Sequence, residues 1–514
     1  MHKPRLFFPL VFALLAAARL SHVGILWAEE TLPLAAAQQM RAGCVLYRDI
    51  WFDKPPLAPV LYTALGGEAG LALRLAGALY ALLCCYLAFR FARDLWGPRE
   101  GLWAAGLLAF FLVFDFPSSA IPVAADLLML APHLAAVWLA WKRRPLWAGA
   151  LAGVAFATNP KGLLVLAVCA CWAPSWALLA GFAAVTGAAS AWMGSAGALA
   201  GYGDQVWRWG RVYAASTFVA APLRNGLLRS LSWAGFHAAL VIAAALAWRD
   251  LGHAASPVAN GRPPAKPNPR TGQRPAQSAL ALALQRAASS LTRHVRLAPP
   301  GWFGAVFAER CRWALWLAAS LAGVAAGWRF FPRYYFQILP IAVLLAARGF
   351  ARLSGRRRAL LALLLAIPLA RFAPGYLLAA RDAAWRDTAM DRDSRAAARL
   401  LNAAARPGDT LFVWGYRPEI YVYSHLPAAT RFLDSQPLTG VPADRHLTQS
   451  APLETRQSQA HRVELAGSHP SFIVDGLGPY NPRLAVTAFA GLHAWLGDYR
   501  EVGRTPGSVI YRRR

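Results

Sequence analysis

The stretch Tyr47-Arg-Asp-Ile-Trp-Phe-Asp-Lys-Pro-Pro-Leu57 sets four charged side chains and a tandem proline between two long apolar segments. Pro55 and Pro56 fix φ at two successive positions and force Lys54 away from the α region. The Lys54 ammonium therefore leaves a stiff backbone in a defined direction, which suits a point charge that holds a phosphate. Asp53 offers hard oxygens to a divalent ion such as Mg2+ or Mn2+, or a salt bridge that orients Lys54. The residues leave both roles open, along with a plain prolyl turn carrying solvated charges.

Other residues of the right type lie elsewhere. Glu29 and Glu30 end the first apolar stretch, where a carboxylate can take a proton from a hydroxyl or simply face water. Asp126 opens another apolar stretch, a costly place for a charge unless it is paired or faces a cavity. Lys161 follows Asn159-Pro160 and suits snorkelling to an interface as well as it suits a site. Arg333-Tyr334-Tyr335 joins a cation to two aromatic rings, a pattern shared by sugar-phosphate sites and membrane-interface belts. His22 and His133 read as packed or interfacial residues. The six cysteines show no zinc or disulfide spacing.

The elements that must position these groups are read from composition. The chain has 514 residues, 57% of them hydrophobic and 15% charged, with mean hydropathy +0.35. Soluble proteins carry about 25% charged residues, and here the apolar residues come in blocks near membrane-spanning length. This predicts an α-helical polytopic membrane protein, with spans near 6–27, 70–92, 99–117, 120–141, 146–159, 161–175, 177–199, 231–248, 312–329, 333–351 and 359–379, about eleven by apolar length. The net charge of +28 falls largely in short loops between spans, as expected of cytoplasmic loops. No basic patch lies on a soluble fold, so nucleic acid is not an expected partner.

The basic start and the apolar run to Trp27 read as an uncleaved anchor rather than a cleaved signal, which puts loop 28–69 outside the cytoplasm. Within that loop, residues 31–42 form a helix-compatible stretch lying flat on the membrane, with Gly43 as its stop. Residues 146–175 are read as two short spans broken at Asn159-Pro160. Residues 250–300, rich in Pro, Arg, Ala and Ser, read as a disordered cytoplasmic linker. After residue 380 the apolar runs shorten. Helical spacing over 383–405, strands at 410–415 and 471–476, helical spacing over 482–498 and a last strand at 508–511 predict a small α/β extracytoplasmic domain. The division is therefore 1–380 for the membrane domain and 381–514 for the external one.

Glu29-Glu30, a helix, Gly43 and Asp53-Lys54-Pro55-Pro56 together resemble the first loop of C-type glycosyltransferases, which use lipid-phosphate sugars. The closest branch looks like the bacterial relatives of protein O-mannosyltransferases and lipid A aminoarabinose transferases. The resemblance continues in Ala125-Asp-Leu-Leu-Met129, Gly153-Val-Ala-Phe-Ala-Thr-Asn-Pro-Lys161, Phe330-Phe-Pro-Arg-Tyr-Tyr-Phe-Gln-Ile-Leu-Pro340 and Asp409-Thr-Leu-Phe-Val-Trp-Gly415. It covers about residues 20–175 and 320–425. In two places the chain departs from the pattern. Glutamate stands where the leading acid is usually aspartate, and Arg333 stands where many relatives have histidine.

The resemblance implies an enzyme that inverts the anomeric carbon while moving a sugar from a polyprenyl phosphate to a glycan, glycolipid or protein acceptor. It would act at the outer face of the bacterial cytoplasmic membrane, without a nucleotide. It implies Glu29 as base, with Glu30 orienting it or binding acceptor. Lys54 and Arg333 would hold donor phosphate, Asp53 would hold a divalent ion or Lys54, and Asp126, Lys161, Tyr334 and Tyr335 would bind acceptor or support the site. Trp207, Trp209 and Tyr213 read equally as a sugar-stacking surface and as part of an amphipathic interfacial helix. The alternatives are a transporter or flippase of polyprenyl-linked saccharides, and a non-catalytic relative acting as an assembly partner. Transporters often carry internal repeats, and the first-loop pattern has no second copy.

Overall fold

The computed structural model describes residues 6–215, 221–249, 251, 305–442 and 448–514. The linker expected at 250–300 lies outside the described residues, Leu251 apart. The described part is a helical body carrying a small sheet near its C-terminal end.

Every apolar block read from the sequence contains helix, but few of the helices are long. Among the described residues, only Leu71–Trp96 and Trp176–Ser195 are long and apolar enough to cross a membrane. The pairs Pro222–Phe236 with Ala238–Trp248 and Gly355–Leu363 with Ala366–Ala380 also qualify if each is one span, bent by 89° and 42°. The expected count of about eleven spans is therefore not borne out by length and composition. Proline accounts for much of the difference. Pro98 and Pro145 begin 14-residue helices, and Pro160 separates Pro145–Thr158 from Gly162–Trp172. Close helix approach replaces length. A Cβ on Gly149 would lie 1.8 Å from the Leu178 carbonyl oxygen, and one on Gly181 would lie 2.0 Å from that of Leu146. Only glycine permits this contact between Pro145–Thr158 and Trp176–Ser195.

The first loop is built rather than loose. Helix Ala28–Arg41 stops at Gly43, which adopts φ +96°. The Tyr47 hydroxyl donates to the Lys54 carbonyl at 2.6 Å, closing the stretch quoted above onto itself. Gln205, in the wide turn Gly203–Arg208, accepts from the Phe52 amide at 2.8 Å and donates to the Tyr47 carbonyl at 2.7 Å. The loop then enters helix Leu57–Ala64. Helix Ala28–Arg41 packs against Leu57–Ala64 and Glu419–Ser424, and most of its residues are buried. It is thus held between the helical body and the C-terminal part.

The C-terminal part opens with helix Ala389–Ala404. Its sheet has strands β1 (Leu411–Trp414), β2 (Phe472–Asp475), β3 (Tyr499–Thr505) and β4 (Ser508–Arg513), in the order β1-β2-β4-β3. β1 and β2 run parallel, in register Leu411 to Phe472 and Trp414 to Asp475, while β4 is antiparallel to β2 and β3. The expected strands at 410–415, 471–476 and 508–511 are present, and β3 is additional. Residues 482–498, expected to be one helix, form short 3-10 turns and the four-residue helix His493–Leu496. One apolar core runs from Leu32 and Phe52 of the first loop to Leu411, Val413, Val474 and Ile510 of the sheet.

Candidate active site

A cavity of about 230 Å³ opens where the first loop, the start of Ala125–Leu128, the break at 159–161, the 206–214 segment and the 333–334 turn meet. Glu29, Asp53, Lys54, Asp126, Lys161, Arg333 and Tyr334 all line it. Residues separated by more than 300 positions in the chain thus share one wall. Trp209 and Tyr213 line it as well, whereas Trp207 stacks on Phe156 elsewhere. Tyr335 is not a wall residue. Its hydroxyl is 2.9 Å from that of Ser230, and its ring stacks on Trp233.

The charges in the cavity are organised around Arg333. Its guanidinium pairs with Glu29 and lies 3.5 Å from an Asp126 oxygen. Burial pulls the Arg333 group down, and Glu29, Tyr334, Tyr213 and Asp126 together more than offset this, so the guanidinium stays charged. Lys54 Nζ donates to Asp53 at 2.7 Å. Burial lowers this amine too, and Asp53 beside it raises it well above the usual lysine range. Tyr416, from the turn after β1, feels the charges of Lys54, Glu29 and Asp53, and burial is the main cause that pushes its hydroxyl up.

Glu30 has a different environment. It is fully buried, is absent from the cavity wall, and takes both guanidinium nitrogens of Arg74 at 2.6 and 2.8 Å. It also accepts from the Trp27 amide at 3.0 Å, which caps the helix start. Arg74 further donates to the carbonyls of His22 and Ile25. This cluster fixes the turn from which Glu29 projects. A second anchor comes from the C-terminal part, where Asp391 accepts from the Leu26 amide at 3.0 Å and from the Tyr423 hydroxyl at 2.5 Å. Glu30, expected to orient Glu29 or to bind acceptor, thus lies beside Glu29 but behind the cavity wall.

The donor set does not fit a divalent ion. Among the described residues, no group of three or more His, Cys, Asp or Glu side chains could hold one. Glu29 and Asp126 already face the Arg333 guanidinium, and Asp53 faces Lys54. His22 and His133 are buried away from the cavity, the latter accepting from Trp316 at 2.9 Å.

Sequence reading missed Arg74, Gln205 and Tyr416. An arginine within the apolar segment 70–92 is itself a signal, because a buried charge there needs a partner. Nothing in the local sequence pointed to the other two.

No protein-family profile and no curated protein matches the chain by sequence. Among solved structures, ArnT from Cupriavidus metallidurans in the apo state is similar to it with TM-score 0.55 and 14% identity, over 99% of this chain and 97% of that one. The same protein bound to undecaprenyl phosphate gives TM-score 0.53 and 15% identity over the same shares. The oligosaccharyltransferase of Archaeoglobus fulgidus with zinc and sulfate aligns over 99% of this chain and 73% of its own at 13% identity, and its TM-score of 0.44 is too low to carry an argument. The chain thus has a membrane glycosyltransferase fold of the C type. Within that class, its likeness extends over nearly the whole of ArnT, the lipid A aminoarabinose transferase.

Proposed function

We propose that this chain is an inverting glycosyltransferase that moves a sugar from a polyprenyl-phosphate donor to an acceptor at the outer face of the bacterial cytoplasmic membrane. The observation that carries the reading is the single cavity. A carboxylate and two cations, drawn from the first loop and the 333 turn, line it in a fold shared with a protein that binds undecaprenyl phosphate.

In the reaction, a hydroxyl oxygen of the acceptor bonds to the anomeric carbon as the bond from that carbon to the phosphate oxygen breaks. The hydroxyl proton passes to Glu29, and the electron pair leaves with the lipid phosphate. Glu29 is the base because it is the cavity carboxylate at the start of a rigid helix, with Glu30 and Arg74 fixing that start. Arg333 pairs with Glu29. An arriving phosphate competes for the guanidinium, which frees the carboxylate and stabilises the leaving group in one exchange. Lys54, braced by two prolines and Asp53, supplies the second positive charge. Asp126 holds Arg333 from the other side. Tyr213, Tyr334 and Trp209 offer ring faces to the sugar or the lipid. No step passes through a metal ion. The acceptor is a glycan, a glycolipid or a protein hydroxyl, and the C-terminal part (381–514) lies on the same side as the site.

The test is turnover. Purified protein in lipid, given a polyprenyl-phosphate sugar and envelope acceptors, is expected to release polyprenyl phosphate. Glu29→Gln is expected to keep the fold and lower release by about a hundredfold or more. Release at the wild-type rate from that variant would remove Glu29 from the mechanism. Transport of intact donor without release would identify a flippase.

A further inference from the structure

Neither His237 nor Asp115 lines the cavity, yet the two meet in the interior beside a sharp bend. His237 joins helix Pro222–Phe236 to helix Ala238–Trp248, whose axes differ by 89°. The two side chains are 3% and 6% exposed, and Nε2 lies 3.4 Å from an Asp115 oxygen, an ion-pair contact rather than a hydrogen bond. Nδ1 donates to the Trp233 carbonyl at 2.9 Å, so a neutral ring would turn a bare Nε2 lone pair to the carboxylate. A proton between the two makes the contact attractive. The surroundings suit such a cation, because Trp233 and Phe111 both stack on the ring, at 4.3 and 4.6 Å. Among the described residues no other cation pairs with Asp115, whose second oxygen accepts from the Phe116 amide at 2.7 Å.

Both arms of the bend grip the segment that carries Arg333. On the first arm, Asn225 donates to the Arg329 carbonyl at 3.4 Å, and the Ser230 hydroxyl lies 2.9 Å from that of Tyr335. Gly226 lies against Phe330, whose ring is 2.6 Å from where a Cβ would stand, and Trp233 stacks on Tyr335 at 5.3 Å. On the second arm, Ala243 meets helix Leu339–Arg352 at Gly349, where a Cβ would lie 2.2 Å from the Ala243 carbonyl oxygen. Between these grips stands Pro332–Gln337, a 3-10 turn whose poorer hydrogen bonds hold it less firmly than an α-helix. The angle at His237 therefore sets where Arg333 and Tyr334 stand on the cavity wall.

We propose that the His237–Asp115 pair is a buried latch that fixes this bend, and that His237 is thereby a positioning residue for the turn bearing Arg333. The inference rests on the glycosyl-transfer reading for what the turn does, not for how it is held.

The full chain in nanodiscs is followed by amide hydrogen exchange, comparing peptides over 329–337 with those of the C-terminal sheet. Asp115→Leu leaves Nε2 without its partner. Exchange over 329–337 is expected to rise roughly tenfold, the scale of one lost polar contact, while the sheet stays unchanged. Asp115→Asn is expected to stay near wild type, since its amide can donate to Nε2 of a neutral ring. Trp233→Leu cuts the stack and should loosen 329–337 as well; it carries the test alone if Asp115→Leu does not fold. Unchanged exchange over 329–337 in the variants that fold would overturn the proposal. An equal rise in the sheet, which marks general destabilisation, would do the same, as would an Asp115→Asn variant as loose as Asp115→Leu. Because exchange needs no substrate, failure of sugar transfer in the separate release assay leaves this result standing.

Discussion

Two neighbouring glutamates, one turn of backbone and two arginines give this protein a pair of acid–guanidinium contacts with opposite uses. Glu30 and Arg74 are 0% and 1% exposed, meet in bidentate geometry and share their remaining donors with backbone carbonyls. Glu29 and Arg333 are about 20% and 21% exposed, meet through one nitrogen and share the guanidinium with Asp126. Breaking the first pair leaves a charge stranded in a dry interior. Breaking the second exposes two groups to a cavity that a ligand or water can fill. The same chemistry is therefore a fastener in one place and a switchable contact in the other, and burial makes the difference.

The largest effect expected from this contrast is on stability. Arg74→Met should destabilise the protein by about 3–5 kcal/mol, because Glu30 is left buried without its cation. Thermal unfolding in detergent at pH 7 reads the loss. A variant that melts within a degree or two of wild type would make the Glu30 pair dispensable and dissolve the distinction. Arg333→Met should reverse the order of effects. Its unfolding transition should shift much less, since Glu29 and Asp126 border open space. Sugar transfer should fall by about a hundredfold, the scale for removing one preorganised donor to a developing charge. Equal losses of stability in the two variants would show that both pairs are fasteners.

How far the sequence foretold this arrangement depends on the element. The first-loop pattern was legible, because a tandem proline, a flanking acid–lysine pair and a glycine stop are local signals. So were β1, β2 and β4, whose apolar runs end in turns. The division of labour between Glu29 and Glu30 was not legible. Successive residues at a helix start project about 100° apart, and only the distant Arg74 and Arg333 decide which one faces the cavity. β3 was missed because Tyr-Arg-Glu-Val-Gly-Arg-Thr reads as polar. It lies at the sheet edge, with a register shift between Glu501 and Gly503, where exposed charge is ordinary. Apolar length does not register breaks such as Pro160, or contacts such as Gly149 on Leu178, that let a short helix pack.

The smallest expected effect concerns Lys161, which lacks the carboxylate that both arginines possess. Its neighbours in the cavity are Asp126, which favours the charged form, Arg333, which opposes it, and the ring of Tyr334. With the folded value near 8 and the ordinary value at 10.5, the unfolded chain binds more protons than the folded one between those limits. Stability contributed by this group should therefore rise with pH across that window and be flat below it. Lys54, held well above the lysine range by Asp53, contributes with the opposite sign, so the measurement must be a difference. Subtracting the melting curve of Lys161→Met from that of wild type between pH 7 and about 10.5 should leave a rising trace in the ligand-free protein. A trace that is flat without ligand would mean that water or lipid already serves this amine, and that it resembles the two arginines after all.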